Sequence, residues 1–555
     1  MSVEPRIVGP APLLAAMCDA IGLTEVIDRL VQWDPAQCKL SPGTRIKALV
    51  VNILTERQPL YRVGLAFREN DPELLFGRGV SYEDLDDNAL ARALDKLYDA
   101  DPKRVFAAIV ARAIMQDNVE RDRLHWDSTS RSVYGVYQGK QGQLSVTHGY
   151  SKDKRPDLRQ FLIALLCNRE GVPVSAEVQD GNHSDKKGNA KAIDDLVGAL
   201  EPEQLQRLIY GADSALCTMP NLAKMEEAGL RFVTRMPETF AVAGRAKKAA
   251  WDQDQWEELG RFSRERNAAS YRACEQAIEL KERPYRAIVV HSDHLDKRKD
   301  KTLERVLASE RQRLAAEAAE LGHKTFFCQE DAETAAGAWM MAEDSGLIPV
   351  EAEAVAEQQT LKRSRPGRPR AGEQAPSRTV YRLHCTLGEP SPERLQQWRE
   401  RENCFVLLTN VGPERLSPRD ALQEYKFQTA VETRFKFLKN PVYMDAVYVH
   451  RRDRLEALIY VLVMACLIFT LLERRVRKAL AQRGEQLIVP GDRAVDRPTA
   501  TSLLEMLAKV MVIRAGPFRR VLANSEWSRT RTARVLELAG FELSIYTDVM
   551  ALDAS

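Results

Sequence analysis

Between residues 122 and 236, apolar runs and amphipathic segments follow one another in the order β-β-β-α-β-α-β, and no other stretch restricts the architecture as much. A first strand starts at 123–127. The runs 160–168 (QFLIALLCN) and 172–179 (VPVSAEVQ) are of strand length and are joined by Arg169-Glu170-Gly171, a hairpin turn. A helix at 189–200, a strand at 207–212, a helix at 220–228 and a strand at 231–236 follow. Hairpins build an antiparallel sheet and helical crossovers extend it in parallel, so the segment is read as α/β.

The 555 residues, 44% hydrophobic and 29% charged, are enough for several domains with buried cores. Residues 1–118 read as short amphipathic helices, and 1–126 carry 16 basic against 19 acidic residues, which offers no electrostatic footprint for DNA. Residues 238–403 interrupt the α/β pattern like an inserted domain, with β candidates at 271–280 and 285–291 and a charged helix from 297 to 321. Its stretch 351–377 has almost no large apolar residue and is expected to be a flexible linker. The α/β texture returns at 404–411, and 481–555 reads as helical. Nine scattered Cys with no CxxC pair argue against a disulfide framework and for a reducing, cytoplasmic setting. The apolar run 457–472 is shorter than a membrane span needs, so it predicts a core helix and no membrane partner.

Two carboxylates end apolar runs of the α/β segment, Asp127 in LHWDSTS and Asp213 in LIYGADSA. Taken alone, each reads equally as a strand terminator or a helix N-cap. Taken together, acids at the ends of adjacent strands converge at a sheet edge, as hard divalent cations require. A third candidate lies in 417–440. Ser417 is an N-cap, Pro418 suits the first helical position and Asn440-Pro441 is a stop, which predicts one continuous helix. On that helix Tyr425, Gln428, Glu432 and Lys439 share an arc of roughly 60°, beside an apolar stripe of Phe427, Val431, Phe435 and Leu438. Glu432 stands where stripe and arc meet, a place also open to an ordinary solvated glutamate.

The arc residues have the spacing Tyr-x2-Gln-x3-Glu-x6-Lys. With Asp127 and Asp213 they resemble the DDE transposases of the insertion-sequence four superfamily, whose signature helix carries Tyr-x2-Arg-x3-Glu-x6-Lys. HGYSKDKRPDLRQ (148–160) and DGNHSD (180–185) resemble segments of one branch of that family, so the likeness covers about 120–480. The long stretch between Asp213 and Glu432 suits members with a β-rich insertion.

The resemblance implies a ribonuclease H-like core in two parts, 119–237 and 404–480, interrupted by the insertion 238–403 and flanked by helical regions 1–118 and 481–555. It implies that Asp127, Asp213 and Glu432 hold two Mg2+ ions, replaceable by Mn2+, for cleavage and strand transfer of double-stranded DNA. The substrates would be the element's terminal inverted repeats and target DNA, worked on by a homodimer in a synaptic complex. Tyr425, Gln428 and Lys439 would touch phosphates and sugar beside the scissile bond. Gln428 stands where the family has Arg and loses the bidentate charge-assisted contact, and Lys436 nearby on the helix could restore the charge.

Two basic features also point to DNA. KRSRPGRPR (362–370), with Arg365, Arg368 and Arg370, resembles a minor-groove hook, a solvated linker being the other reading. Although the whole chain carries only +2, residues 434–534 hold 20 basic against 9 acidic residues, a net of +11, and are expected to form the DNA footprint. Trp251 and Trp256 read as core packing, with base stacking as the alternative. The absence of a GxxxxGK[ST] phosphate loop removes ATP-driven transposition. Two other classes compete: a two-metal nuclease or resolvase that cuts without joining, and a DNA-binding protein that has lost its chemistry.

Overall fold

The computed structural model describes residues 3–135, 137–263, 267–294, 297–361, 377–440, 449–522 and 526–549. They separate into two compact units, Met1–Pro237 with Leu408–Leu416 and Asp420–Ser555, and Glu238–Leu407 with Ser417–Arg419.

In the first unit, β1 (Arg123–Val133), β2 (Arg159–Asn168), β3 (Pro173–Gln179), β4 (Ile209–Ala212) and β5 (Arg231–Arg235) lie in the spatial order β3-β2-β1-β4-β5. The hairpin β2–β3 closes where Gly171 takes φ +78°, a conformation that favours glycine, and Asn168 Oδ1 accepts from the amides of Glu170 and Val172. β1 is antiparallel to β2 but parallel to β4, and β4 is parallel to β5. Helices α1 (Asp185–Ala199) and α2 (Met219–Glu227) lie in the connections between those strands, as parallel pairing demands. The expected elements are present in order, with a short helix Pro202–Arg207 added before β4. β1 continues to Val133, so Asp127 lies within a strand and does not end one.

The predicted continuous helix is two helices, α3 (Pro418–Lys426) and α4 (Gln428–Lys439), broken at Phe427. Behind α4 runs α5 (Arg452–Arg483), whose apolar stretch is long enough by composition to cross a membrane yet is 89% buried inside the fold. It packs on helices Pro42–Leu54, Asp87–Asp99 and Pro102–Asp117, on β3 and on α4, and Phe469 meets Phe437 at 4.9 Å between ring centres. It is the expected core helix.

Expectations for the two terminal regions and for the linker need correction. The N-terminal region is not all helical, because Val3–Ile7 pairs with Met511–Ala515, which pairs in turn with Phe518–Leu522. The strand's partner lies some 500 residues away, so local pattern could not announce it. The C-terminal region accordingly mixes helix with strand.

Part of the C-terminal positive charge is paired inside the molecule. Arg519 pairs with Asp71 (2.6 Å), Arg514 with Glu73 (2.6 Å), Arg454 with Asp95 (2.7 Å) and Arg475 with Asp117 (2.5 Å). Four acids of the N-terminal region, Asp71, Glu73, Asp95 and Asp117, thus offset part of the net +11 that composition marked as a DNA surface.

The second unit contains an antiparallel meander, Glu257–Arg261, Ser270–Leu280 and Arg283–Ser292. Helices Lys297–His323 and Gln329–Glu343 pack on a hairpin of Val350–Thr360 with Ser377–Leu387 around Leu314, Trp339 and Ile348. The supposed linker therefore starts as a strand paired over eleven residues. Its small residues Ala352 and Ala354 face the helices, where bulk is not required. Residues 362–376, with Arg365, Arg368 and Arg370, lie outside the described residues.

Candidate active site

Strands β1 and β4 end their parallel register at Trp126 opposite Ala212, so Asp127 and Asp213 both stand one residue beyond the last pair. β1 continues there only because β2 still pairs with it, Asp127 lying opposite Leu165. β4 stops because Asp213 turns the chain: its Oδ1 accepts from the Ala215 amide (2.9 Å) and its carbonyl accepts from Thr234 Oγ1 (2.7 Å).

Burial is the main reason the Asp127 carboxyl is pushed up to about 7; Asp213 and Asp185 push the same way, against Lys152 and the Ser128 amide. Burial likewise raises Asp213, helped by the charge on Asp185. Asp185 is the first residue of α1. Ser128 Oγ donates to its Oδ1, and Lys152 Nζ lies 3.1 Å from its Oδ2 and 3.9 Å from Asp127 Oδ1. Two hard carboxylates, half-buried and with one ammonium nearby, are the ligand type a divalent cation takes.

The break at Phe427 has a visible cause. Glu424 is fully buried, with His125 Nε2 2.9 Å from its Oε1 and Arg169 Nε donating to its Oε2 at 3.1 Å. Burial raises its carboxyl, but His125 and Arg169 outweigh that and hold it below the ordinary range. The Phe427 ring packs against His125 (6.3 Å) and under the Arg169 guanidinium (5.2 Å). This knot pins the end of α3 to the sheet; the break is the single residue Phe427, which keeps a helical backbone (φ −64°, ψ −11°) and donates to the Gln423 carbonyl (3.0 Å) before α4 begins. With its oxygens engaged by His125 and Arg169, Glu424 is not open to a metal ion.

Beyond the break, Glu432 is exposed on α4. The half-buried Tyr425 links it to the aspartates: burial raises this phenol against the pull of Arg235, and the charges of both Asp213 and Glu432 reach it. Among the described residues, no three His, Cys, Asp or Glu side chains stand close enough to hold a metal ion. The structure therefore brings Asp127 and Asp213 together and leaves Glu432 outside the pair. Gln428 is half-buried and Lys436 exposed. Lys439 Nζ donates to Asp153 Oδ1 (2.6 Å), and its carbonyl accepts from Arg131 (2.6 Å).

Lys152, Asp153, Asp185 and Arg235 are neighbours that pattern reasoning did not assign. Three of them lie in the family-like segments SKDK and DGNHSD, where a signal existed; Arg235 had none. In the second unit Trp251 and Trp256 meet at 5.1 Å, with the Arg272 guanidinium 5.2 and 4.9 Å from their ring centres and the His291 ring 5.7 Å from Trp251. Both indoles are half-buried packing residues.

Comparison with known proteins gives two family matches. A family described as "Transposase DDE domain" matches residues 121–468, and a "Domain of unknown function (DUF4277)" matches residues 6–111. No curated protein matches. Among solved structures, the cryo-EM structure of a piggyBac transposase synaptic complex with hairpin DNA is 10% identical over 92% of this chain and 82% of that chain, with a TM-score of 0.34.

Proposed function

This chain belongs to the transposase DDE domain family, and on that premise we propose that it is the transposase of an insertion sequence, cutting DNA at the element's terminal inverted repeats and joining the ends to target DNA. The single observation that carries the catalytic part is the placement of Asp127 and Asp213 one residue past the last register pair of two adjacent parallel strands. The five-strand order β3-β2-β1-β4-β5 supports reading the first unit's sheet as a ribonuclease H-like core, with 238–403 as its insertion domain.

In this reading Asp127 and Asp213 would hold the metal, with Glu432, which lies outside the pair in this structure, as the third ligand of a two-Mg2+ site for which Mn2+ would substitute. When bound, the ions supply charge stabilisation for in-line displacement at phosphorus. The chain's own groups do the rest. Tyr425, Gln428, Lys436 and Lys439 position the phosphates and sugar flanking the scissile bond. Burial of the aspartates excludes water from the reacting edge. Arg365, Arg368 and Arg370 add sequence-tolerant affinity through a minor groove. The working form is a cytoplasmic homodimer that pairs two element ends.

The test is cleavage and strand transfer on end DNA in Mg2+. Losing a metal ligand forfeits several kcal/mol, and roughly 4 kcal/mol slows the chemical step about 10³-fold. Asp127→Ala, Asp213→Ala and Glu432→Ala should each abolish both reactions while end binding survives. Cutting without joining by the unsubstituted protein would reassign it as a nuclease. A folded Glu432→Ala variant that cuts at the parental rate would discard Glu432 as the third ligand, and Asp185 would be tested next.

A further inference from the structure

Lys152 sits in an oxygen cage. Its Nζ donates to the Ser128 carbonyl (2.7 Å) and Ser128 Oγ (3.2 Å), and lies 3.1 Å from Asp185 Oδ2 and 3.9 Å from Asp127 Oδ1. Four oxygens from one side, two of them on carboxylates, form the kind of environment a hard cation takes, here filled by an ammonium. The loop that delivers it is fixed: the Lys152 amide donates to Ser130 Oγ (2.9 Å), and Gln160 Nε2 holds the Tyr150 carbonyl (3.1 Å). The Lys152 residue is exposed as a whole and its side chain is 30% exposed, so the ammonium keeps an open path to solvent.

We propose that Lys152 is the built-in counter-ion of the acidic site, standing in for the divalent ion in the metal-free protein and yielding its place when the metal binds. The proposal rests on the reading of Asp127 as a metal ligand. Once Asp127 is ionised, it, Asp185 and Asp213 repel one another unless a cation stands among them. One ammonium on a flexible stem offsets that repulsion and, unlike a guanidinium clamped by two parallel bonds, can swing away. Asp185 gains a role from this: through Ser128 Oγ and Lys152 it anchors the displaced cation beside the site. Lys152 is thus a positioning residue, and its presence opposes metal binding while keeping the empty site in shape.

The test is Mn2+ binding to the full chain without DNA, followed by calorimetry or by the Mn2+ resonance signal. Removing a competing positive charge within about 4 Å of a ligand oxygen should tighten Mn2+ binding about tenfold or more. That gain is expected for Lys152→Met and also for Lys152→Gln, which keeps a donor for the Ser128 carbonyl should the methionine variant fold poorly. Both variants should melt at lower temperature than the parent in chelator and show a larger Mn2+-induced rise. A purely structural lysine would weaken metal binding when removed. If the parent binds Mn2+ and Asp127→Asn loses it, but neither Lys152 variant binds more tightly, the counter-ion proposal falls and the metal assignment stands. If the parent binds no Mn2+, or Asp127→Asn binds it as well as the parent does, the metal assignment falls and takes this proposal with it.

Discussion

Replacing Asp127 by asparagine should stabilise the metal-free protein, and by an amount that grows with pH. Mainly through burial, this carboxyl is raised from 3.8 to about 7 in the folded chain. Between those values the folded state holds a proton that the unfolded state has lost, so stability falls as pH rises through the window and levels off above about 7. At 1.36 kcal/mol per unit, the fall from pH 5 to pH 8 is about 3 kcal/mol. The Asp127 side chain is only 17% exposed, so solvent screening erodes little of this. Asparagine keeps an oxygen for the Ser128 amide and has no proton to lose. Urea unfolding in chelator at pH 5, 6, 7 and 8 should therefore show the variant gaining on the parent by roughly that amount, with the gain complete near pH 7. Mg2+ at pH 8 should narrow the gap by binding the parent alone. A stability difference independent of pH would refute the argument, because it would mean that Asp127 is ionised throughout the range.

The same geometry sets three other outcomes. Glu424→Ala removes the buried partner of Arg169, whose side chain is 38% exposed, and unfolding should cost about 1–3 kcal/mol less, measured by urea titration; a loss below about 0.5 kcal/mol would mean the knot does not hold α3. Lys439→Ala should weaken binding of end DNA about tenfold while leaving Mn2+ affinity unchanged, since its ammonium touches Asp153 and no acid of the pair; a change in Mn2+ affinity would contradict that separation. Neutralising Lys362, Arg363, Arg365, Arg368 and Arg370 should weaken specific and random duplexes alike and flatten the salt dependence in filter or anisotropy titrations; an unchanged salt slope would leave the segment a plain linker.

The sheet's element order was legible because it rests on local signals: apolar runs of strand length, a turn with glycine at its positive-φ position, and helices between strands that must then be parallel. The aspartates were legible for the same reason, each following a run whose neighbour is settled by the crossover rule. The helix after Ser417 was only half legible. Its caps and spacing describe a continuous helix, and nothing within 417–440 announces that Glu424 will be drawn into a fully buried knot with His125 and Arg169, some 255–300 residues away in sequence. The paired segment 350–360 was missed because alanines facing helices carry little hydrophobic signal, although their alternation was there to be seen.

Charge marks the division most sharply. The sequence by itself determined that positive residues crowd 434–534 and negative ones the N-terminal helices, that Asp127 and Asp213 each follow an apolar run, and that a long apolar run near 460 must be buried somewhere. Only the tertiary structure decided that Asp71, Glu73, Asp95 and Asp117 pair with arginines of that basic stretch, that Lys152 reaches into the acidic site, and that Glu432 stays outside it. The physical reason is range. Strand, turn and cap signals act over a few residues of chain, whereas an ion pair depends on distance in space, which the packing of elements sets after each has formed.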